Sequence, residues 1–371
     1  MEITLKDIVD IMEKHFPLRL AESWDNPGLQ IGSLEAPVKR AAVALDADEY
    51  SIDQALKLKA DVLITHHPLF FNGVKKIDYE QPEGRIIQKL IRGGTAVYSA
   101  HTNLDSAPNG LNQYLAELIE LEDIKLLGCQ QEETLYKLVV FVPANHLAAV
   151  RAAVHEAGAG HIGNYSDCSF YARGTGTFKP MEGAAPYAGS VGELEYADEF
   201  RLETIVRKNQ IPQVVSAMLA SHPYEEVAYD LLPLAIGGTQ YSYGRLGELQ
   251  KPVTLEQLAY MVKKKLGISG LKIAGEKGKL IKKVGLACGA GSILLDAALQ
   301  QGVDVFISGD IKYHEAQAGL RKGIALIDAG HQGTEAIVGT FLQRLLRHEI
   351  SLLKSSCPVD VLDAKPIFIF Y

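Results

Sequence analysis

Six short apolar runs, three in the first third of the chain and three in the last third, constrain the fold more than any other feature. Each run has four or five residues, and segments with helical periodicity separate them. Continuous apolar strands that alternate with helices are typical of a parallel sheet covered on both faces. The sequence therefore predicts an α/β fold with mostly parallel sheets. The predicted strands cover residues 41–45, 62–65, 96–100, 284–287, 303–307 and 324–327.

Helices are predicted between these strands from apolar residues at helical spacing. The first begins after Thr4, a predicted N-cap, and has Asp7 in its first turn. It ends near Phe16, and Thr254 is the N-cap of a later helix. The other predicted helices of the outer portions cover residues 50–58, 85–91, 111–119, 293–300, 314–321 and 334–348.

The alternation changes near Gly128, which indicates an inserted segment. From there the predicted order is β-α-β-β-α-β, the ferredoxin-like arrangement. A polar stretch at 128–133 and a glycine-rich stretch at 237–240 are the predicted hinges. We therefore predict a discontinuous α/β domain, residues 1–127 and 236–371, interrupted by a ferredoxin-like α+β domain at 128–235. The inserted elements are strands 136–142, 169–179, 191–207 and 227–232, a helix capped by Asn145 that ends near Glu156, and a helix after Pro212.

The two outer portions contain related phrases. Residues 60–66 read Ala-Asp-Val-Leu-Ile-Thr-His, and residues 303–309 read Val-Asp-Val-Phe-Ile-Ser-Gly. We interpret the portions as two α/β halves of one sandwich domain, split by the insertion. An ancestral duplication would explain the similarity.

Residue types that bind metals follow several of the predicted strands. The carboxyl ends of strands in open α/β sheets meet on one side, where ligands collect. No cysteine accompanies these residues, so the pattern predicts a site for a hard or borderline metal, with one ion or two. The residues at or beyond strand ends are His66, His67, His101, Asp105, Asp310, His331 and Glu335.

The adjacent pair His66 and His67 bears on the number of ions. Adjacent side chains on a regular strand point to opposite faces. At a strand end that breaks into a turn, with Pro68 restricting His67, the two rings can diverge toward two neighbouring ions. The alternative is one ligand and one packing histidine, but the other strand ends favour two ligands.

His331 and Glu335 are four residues apart. A helix that begins at His331 would place both on one face, and a helix capped by Thr334 would place both within one turn of its positive end. The alternative role for Glu335 is that of a helix-dipole partner. Glycines at 330 and 333 permit close approach of another group, which favours a ligand role for His331.

The remaining candidates have open alternatives. Asp105 precedes a turn, so it could form an Asx-turn or a cap instead of binding metal. His101 could be a ligand, a proton shuttle or a core histidine, and we place it beside the metals as an orienting or acid/base group. Asp310 and His314, four residues apart, could line the cleft.

Three other motifs receive structural interpretations. Residues 289–291, Gly-Ala-Gly, lack the spacing of a dinucleotide fingerprint and predict a tight strand-to-helix turn. Residues 174–176, Gly-Thr-Gly, predict a bend in a twisted hairpin. Residues 222–226, His-Pro-Tyr-Glu-Glu, predict a turn at a helix end in preference to a metal site.

The ligand count favours catalytic over structural use of the metals. Three imidazoles and two carboxylates leave open positions on two ions for water or substrate. Two divalent ions would keep an excess of roughly two positive charges, which suits an anionic substrate. Zinc, iron, manganese, cobalt and nickel all accept imidazole with carboxylate. The five predicted metal ligands are His66, His67, Asp105, His331 and Glu335.

Charge and composition argue against several other classes of protein. The formal net charge is −8 and no Lys/Arg stripe is visible, so no nucleic-acid partner is predicted. No apolar stretch approaches membrane-spanning length, and the N-terminus lacks the order of a signal peptide. Four scattered cysteines without a CxxC motif fit a reducing compartment. We therefore expect a cytoplasmic protein with no membrane partner.

Five motifs occur in the same order as in one known family. The chain resembles the dinuclear-metal family labelled GTP cyclohydrolase 1 type 2 homologues, also called Ngg-interacting-factor-three-like proteins. The resemblance covers the whole outer α/β portion. The motifs are Trp24-Asp25-Asn26-Pro27-Gly28-Leu29, Thr65-His66-His67-Pro68-Leu69, His101-Thr102-Asn103-Leu104-Asp105, Ser308-Gly309-Asp310-Ile311-Lys312-Tyr313-His314 and Asp328-Ala329-Gly330-His331.

The resemblance implies a di-metal site on the five predicted ligands and a toroidal homohexamer whose metals face an inner cavity. The phrase His222-Pro223-Tyr224-Glu225 is similar to one in the PII/CutA-like insertion of longer bacterial members. The chain departs from the family after His331, where Gln-Gly-Thr replaces a phrase containing tyrosine or glutamate. Glu335 is kept, so the departure affects only the local lining.

Two classes of function remain. The favoured one is a metal-dependent hydrolase acting on a nucleotide or another phosphorylated compound. In its cyclohydrolase form the purine imidazole ring is opened, and His101 or His314 moves protons. A phosphoesterase with the same metals would release phosphate rather than formate. The alternative class is a non-catalytic metal-binding or regulatory scaffold.

Overall fold

The structure, a computed structural model, describes residues 3–369. Contacts divide the chain into two compact units. The first contains both outer stretches, up to Gln131 and from Tyr241 onward, and the second is Glu132–Gln240. The fold is mixed α/β, and its sheets combine parallel and antiparallel strands. Among the described residues, no helix is both long and apolar enough to cross a bilayer.

Most of the predicted elements are present. The sequence analysis did not identify a ten-residue strand inside one sheet, Arg245–Thr254, or several short strands that lie mostly at sheet edges. The strands are β1 (Ile3–Thr4), β2 (Gly28–Ile31), β3 (Pro37–Val38), β4 (Ala41–Ala44), β5 (Val62–Thr65), β6 (Ala96–Ser99), β7 (Glu122–Leu126), β8 (Gln131–Pro143), β9 (Ser169–Phe178), β10 (Glu195–Arg207), β11 (Tyr229–Tyr241), β12 (Arg245–Thr254), β13 (Lys272–Ala274), β14 (Leu280–Leu286), β15 (Val305–Ser308), β16 (Ala325–Asp328) and β17 (Val359–Val361). The helices are α1 (Leu5–His15), α2 (Glu49–Leu58), α3 (Pro82–Gly93), α4 (Thr102–Ser106), α5 (Leu111–Leu118), α6 (Leu147–Glu156), α7 (Ile211–Ser221), α8 (Leu255–Leu266), α9 (Leu295–Gln300), α10 (Tyr313–Arg321), α11 (His331–Glu335) and α12 (Val338–Leu352).

A five-stranded sheet contains the first three apolar runs. Its strand order is β17-β4-β5-β6-β2. The pairs β17 with β4, β4 with β5 and β5 with β6 are parallel, and only β2 is antiparallel to its neighbour. The prediction of mostly parallel strands is confirmed for this sheet. Because β5 is the central strand, its C-terminal end lies in the middle of the edge where the parallel strands end.

A six-stranded sheet contains the last three apolar runs and is more mixed than predicted. Its order is β13-β16-β15-β14-β12-β7. Only β14, β15 and β16 pair in parallel, while β13, β12 and β7 join in antiparallel fashion. The antiparallel edge strands carry polar residues, as in β7, which reads Glu-Asp-Ile-Lys-Leu. Such strands have no continuous apolar run, which is the pattern that predicts a buried parallel strand, so the sequence does not indicate them.

Both faces of the five-stranded sheet are buried. Along β5, Val62 and Ile64 enter one apolar cluster with residues of α1 and α12, whereas Leu63 enters another with residues of α2 and α3. Successive side chains of a strand point to opposite faces, so helices cover the sheet on each side. This explains why the strand is apolar throughout instead of alternating.

The two halves of the outer unit share local hydrogen bonding. Asp61 before β5 and Asp304 before β15 each accept two backbone hydrogen bonds. The donors to Asp61 are the two amides just before β4, at 2.7–2.9 Å, and the donors to Asp304 are two amides within β14, at 2.8 Å. Thr4 and Thr254 both form capping boxes, at the starts of α1 and α8. Both caps were predicted. The repeated details support the interpretation of two related halves.

The inserted unit contains β8, α6, β9, β10, α7 and β11 in that order, with sheet order β11-β8-β10-β9. Strand β10 pairs antiparallel with both β8 and β9. The prediction that Asn145 caps α6 is wrong: the N-cap is His146, and no side-chain hydrogen bond forms there. Gly174 and Gly176 lie within β9, paired with Glu199 and Ala197 of the antiparallel strand β10, and the predicted bend there stays a prediction.

The glycine-rich stretch 237–240 lies inside β11, which continues to Tyr241 instead of ending near residue 232. A Cβ at Gly237 would lie 2.0 Å from Glu132 Oε1, and one at Gly238 would lie 2.8 Å from Glu133 Cβ. These glycines therefore make room for side chains of β8. Composition alone cannot distinguish this packing role from a hinge.

Glu349 joins α12 to α1 and should make stability depend on pH. Its carboxylate lies 2.9 Å from Lys14 Nζ and 2.8 Å from His15 Nε2. The hydrogen bonds from Lys14 and His15 lower the pKa of Glu349 below its ordinary value. Because the folded pKa lies below the unfolded one, the contribution exists above the unfolded pKa and disappears as pH falls through the folded pKa. We expect Glu349→Gln to lower the free energy of unfolding by about 1 kcal/mol at about pH 7, and by much less at about pH 3.

Urea unfolding at both pH values measures this difference. Glu122→Gln, on the exposed edge strand β7, is the matched control and should change little at either pH. Equal losses for Glu349→Gln at both pH values would contradict the assignment.

Candidate metal centre

The end of β5 turns so that two adjacent imidazoles face one site. The amides of His66 and His67 both donate to the carbonyl of Leu45, at 3.2 and 3.0 Å. Thr65 Oγ1 donates to the carbonyl of His67 at 2.8 Å. Strand alternation therefore stops at Thr65, and the two rings lie 5.1 Å apart with a 45° tilt.

The end of β6 leads through His101 into α4, which contains Asp105. The buried carboxylate of Asp25 lies 2.8 Å from His101 Nδ1 and accepts hydrogen bonds from the amide and hydroxyl of Thr102. Burial raises the pKa of Asp25, but these hydrogen bonds outweigh it and lower the pKa to about 2. Asp105 Oδ2 lies 3.7 Å from His66 Nε2. The helix start is thus fixed by a permanent negative charge.

The third contribution comes from α11, which begins at His331. His331 and Glu335 therefore share one helix face, the first of the two predicted alternatives. The predicted helix 334–348 is in fact two helices, α11 and α12. The buried Glu335 carboxylate approaches three imidazoles. Its Oε2 lies 3.0 Å from His331 Nε2 and 3.1 Å from His67 Nε2, and its Oε1 lies 3.8 Å from His66 Nε2.

Gly289 provides the space for the Glu335 carboxylate. It lies in the turn after β14 with φ +59°, and its amide donates to Thr334 Oγ1 at 2.9 Å. A Cβ at this position would lie 2.1 Å from Glu335 Oε1. The predicted tight turn at 289–291 is present, and its function is to let a carboxylate approach the backbone.

Four imidazoles use Nδ1 for an orienting contact and so present Nε2 for another partner. A metal-binding histidine commonly has its second ring nitrogen held by a carboxylate or carbonyl in this way. The sequence analysis did not identify Asp46 or Asp25 as such partners. Asp46 follows the end of β4, so the strand-end rule could have found it. The contacts are His66 with Ala100 O at 2.9 Å, His67 with Asp46 at 2.6 Å, His101 with Asp25 at 2.8 Å and His331 with Asp310 at 2.8 Å.

The histidine–carboxylate cluster consists of His66, His67, His101, Asp105, His331 and Glu335. Three of its members, His67, His331 and Glu335, have strongly shifted pKa values. Burial lowers the pKa of His67, but Asp46 and Glu335 outweigh it and raise the pKa to about 10. Contact with Glu335 raises the pKa of His331 to about 9. Burial raises the pKa of Glu335, but its imidazole contacts lower it well below 4.5. A bound cation would replace the imidazole protons, so its affinity should rise with pH.

The cluster also has buried atoms that need a partner. His66 Nε2 and Asp105 Oδ1 make no hydrogen bond within the described residues. A buried polar atom without a partner costs about 1–3 kcal/mol, so two in one place favour a bound group. Imidazole and carboxylate donors fit a divalent metal. Two groups have ligand atoms within 4.8 Å of one another: His66, His67 and His101 form one, and His67, His331 and Glu335 form the other.

Other candidate residues have different surroundings. Asp105 is in neither of the two metal-type groups, and it is close to His66 instead. Asp310 orients His331 through Nδ1. His314 is exposed on α10 with its ring near Tyr313, so its catalytic role stays a prediction. His222 uses both nitrogens locally, in the turn that was predicted there.

Two exposed aromatic rings flank the cluster. The ring of Trp24 lies 5.9 Å from that of His101, and the ring of Phe71 lies 5.8 Å from it, both edge-on. Trp24 is 61% exposed and Phe71 is 49% exposed. Large exposed rings beside a polar site are suitable for contact with a flat ligand.

Comparison with protein families gives one match along almost the whole chain. A family model described as Duf34/NIF3 (NGG1p interacting factor 3) matches residues 3–366. A Halalkalibacterium halodurans protein named GTP cyclohydrolase 1 type 2 homolog is 43% identical over 359 residues, which cover 95% of this chain and 96% of that protein. A Bacillus subtilis protein of the same name is 42% identical over 326 residues, 88% of this chain and 87% of that protein.

Solved structures agree with the sequence comparison. The crystal structure of a Bacillus cereus protein related to NIF3 superposes with a TM-score of 0.86 at 37% identity, covering 100% of this chain and 99% of that one. Staphylococcus aureus protein SA1388 superposes with a TM-score of 0.82 at 28% identity, with the same coverage. The similarity therefore extends over the outer unit and the inserted unit.

Proposed function

The chain belongs to the Duf34/NIF3 (NGG1p interacting factor 3) family, and from that premise we propose that it is a dinuclear metal-dependent hydrolase of a nucleotide or another phosphorylated small molecule. The observation that carries the proposal is the histidine–carboxylate cluster, with its unpartnered buried atoms. The name of the relatives, GTP cyclohydrolase 1 type 2 homolog, supports the nucleotide class. The proposed metal ligands are His66, His67, Asp105, His331 and Glu335.

Each residue has a proposed task. The cluster would hold divalent ions, which would supply Lewis acidity and activate water. Glu335 offsets the positive charge that surrounds it, and Asp46 and Asp310 keep His67 and His331 in the orientation that presents Nε2. His101, held by Asp25, can move a proton at its Nε2. We favour His101 over His314 for this step, because only His101 is in contact with the other imidazoles.

The proposed substrate is anionic and carries a flat base. The excess of positive charge on two ions would attract phosphate. Trp24 and Phe71 would contact the base beside His101. Cleavage could release formate from the purine ring or phosphate from an ester, and the product distinguishes the two reactions.

We further propose that residues 128–235 form a ferredoxin-like (PII/CutA-like) domain inserted in a discontinuous domain of residues 1–127 and 236–371. The β-α-β-β-α-β order and the sheet order β11-β8-β10-β9 support this. A toroidal homohexamer in the cytoplasm is the proposed assembly and location. The cysteines, free in the structure, suit a reducing compartment.

A non-catalytic scaffold is the second candidate, and one observation favours it. His66 and His67 follow a strand of the five-stranded sheet, whereas His331 and Glu335 follow a strand of the six-stranded sheet. Metals at the cluster would therefore cross-link the two sheets and stabilise the fold.

The test combines metal analysis with a substrate screen. Protein purified without added metal is assayed for bound metals, loaded separately with zinc, iron(II), manganese, cobalt and nickel, and mixed with nucleotides and other phosphorylated metabolites. We expect release of formate or phosphate by the wild type and none by Asp105→Asn. No turnover by any loaded form, together with a large fall in Tm on chelation, would establish the scaffold instead.

The aromatic rim makes a separate prediction about binding. On a substrate found by the screen, Trp24→Ala is expected to raise KM by about 5- to 150-fold, the range for losing one base–aromatic stack, and to leave kcat nearly unchanged. Trp24→Phe should restore most of the affinity, and the metal content should not change. A fall in kcat at constant KM would show that Trp24 supports the metal centre instead of binding substrate.

A further inference from the structure

The inserted unit contains a cleft that the metal chemistry does not use. Its volume is about 500 Å³, within the range of small-molecule sites. It is lined by residues of β9 and β10, by the segment that follows β9, and by the turn between α7 and β11. All of its lining residues lie between Phe141 and Ala228, so the cleft belongs to one unit.

Glu199 on β10 is a buried carboxylate in this lining. The residue is only 6% exposed, and its Oε1 accepts a hydrogen bond from the Tyr224 hydroxyl at 2.7 Å. Oε2 makes no hydrogen bond with any residue that the structure describes. A Cβ at position 176 would lie 2.0 Å from Oε2, so the glycine there makes room for it. Burial of a carboxylate is costly unless a cation or donors pair with it, so Oε2 is available to a ligand.

Three aromatic rings line the cleft together with this carboxylate. The ring of Tyr224 lies 5.7 Å from that of Phe178 and 5.9 Å from that of Tyr187. The turn that carries Tyr224 is fixed by His222, whose Nδ1 accepts from the Tyr224 amide at 3.1 Å and whose Nε2 contacts the Phe141 carbonyl at 3.0 Å. The Tyr224 ring is therefore positioned before any ligand arrives. Aromatic faces attract cations within about 6 Å, and a group of such rings is a known means of binding organic ammonium ions.

The remaining charges in the cleft are also mainly negative. Glu225 and Glu226 line it together with Glu199, against the single ammonium of Lys179. Glu225 accepts from the Ala185 amide at 2.9 Å and so holds the segment after β9 against the turn. Anionic ligands such as free phosphate would meet three carboxylates here. The charge favours a ligand of opposite sign.

We propose that this cleft binds a small organic cation, with its ammonium, amidinium or guanidinium group paired to Glu199 and its apolar part against Phe178, Tyr187 and Tyr224. The cation donates to Oε2, while Tyr224 remains the donor to Oε1. Binding here is independent of the histidine–carboxylate cluster and does not rest on the hydrolase proposal.

The test measures binding of defined probes to the full chain by calorimetry and ligand-observed NMR. Benzamidine and choline are the cationic probes, and benzamide and 3,3-dimethyl-1-butanol are their neutral counterparts of similar shape. We expect at least one cation to bind with a Kd of about 1 mM or tighter, and its neutral counterpart to bind about tenfold or more weakly. Equal binding of the charged and neutral probes, or no binding of either cation, would overturn the proposal.

Variants locate the binding. Glu199→Gln keeps the shape of the side chain and should weaken cation binding about tenfold or more. Tyr187→Ala removes a half-exposed ring and should weaken cation binding severalfold, which provides a second test if Glu199→Gln fails to fold. Asp198→Asn changes the exposed neighbour on β10 and should have no effect. Cation binding that survives both Glu199→Gln and Tyr187→Ala would also overturn the proposal, as would tight binding of a neutral purine that is insensitive to Glu199→Gln.

Discussion

Glu335→Gln is expected to remove metal and hydrolysis more completely than loss of any orienting residue at the site. Glu335 is buried and lies within 3.1 Å of two imidazole nitrogens and 3.8 Å of a third. The amide keeps the shape of the side chain but loses its negative charge. One carboxylate oxygen that could bind a metal is replaced by an NH₂ group that cannot. Loss of an orienting partner typically costs about 10–100-fold in affinity, and loss of a ligand should cost more. Metal per chain after dialysis, and turnover of a screened substrate, measure the effect.

Glu122→Gln serves as the matched control, because it changes the same residue type on the exposed edge of the six-stranded sheet. It should keep the wild-type metal content. A Glu335→Gln protein that retains both metal and turnover would remove Glu335 from the proposed ligand set.

Gly289→Ala tests the same carboxylate without removing a ligand. Its Cβ would lie 2.1 Å from Glu335 Oε1, so the carboxylate must move and metal content should fall. The positive φ of +59° adds backbone strain that any non-glycine residue would have. Gly267→Ala controls for this strain, because Gly267 has φ +67° and no atom within 4 Å of the added Cβ. Similar metal loss in both variants would attribute the effect to strain alone.

Arg245→Met is expected to be among the most destabilising single substitutions in the outer unit. Arg245 on β12 is 1% exposed, and burial lowers its pKa to about 10. Its guanidinium donates to the carbonyls of Ser242, Gly244, Ala107 and Pro108 and to Gln113 Oε1. Methionine would remove all of these donors, although the carbonyls of Gly244 and Ala107 would each keep a backbone donor. We expect a loss of about 3–5 kcal/mol in the free energy of unfolding.

The loss should extend to the metal centre. Ala107 and Pro108 directly follow α4, so Arg245 holds the end of the helix that contains Asp105. Urea unfolding measures the stability and dialysis measures the metal content. Arg245→Lys keeps the charge but offers fewer donors in a different geometry, and it should give an intermediate loss. Arg321→Met, on the exposed end of α10, should change stability by less than about 0.5 kcal/mol. A similarly small change for Arg245→Met would contradict the role assigned to its hydrogen bonds.

The strand ends were predictable because their signal is local. Three apolar residues and Thr65, followed by His66 and His67, identify both a buried strand and polar groups at its carboxyl end. The contact between His67 and His331 was not local, since it requires the two sheets to be placed against each other. Only the rule that strand ends meet on one side suggested it. The structure brings the two rings within 5.6 Å.

Other features carry no distinctive signal in the sequence. Arginine is usually a surface residue, so the sequence gives no sign that Arg245 is buried. Its burial is explained only by the carbonyl groups that surround it in the fold. Gly289 and Gly237 look like turn or hinge residues, although both make room for a glutamate side chain. The edge strand β7 is short and charged, so the pattern of a buried strand could not identify it. Long-range packing decides each of these cases.

The two stretches of the outer unit contribute unequally to the histidine–carboxylate cluster. In the aligned phrases, Gly309 stands where the first half has His66, and Asp310 stands where it has His67. A Cβ at Gly309 would lie 2.5 Å from the amide nitrogen of His331, so no imidazole can occupy that place. Asp310, which aligns with the proposed ligand His67, instead contacts the Nδ1 of His331 and so orients that imidazole. A chimera built from two copies of either half would therefore not assemble this centre, because each half lacks the groups that the other supplies.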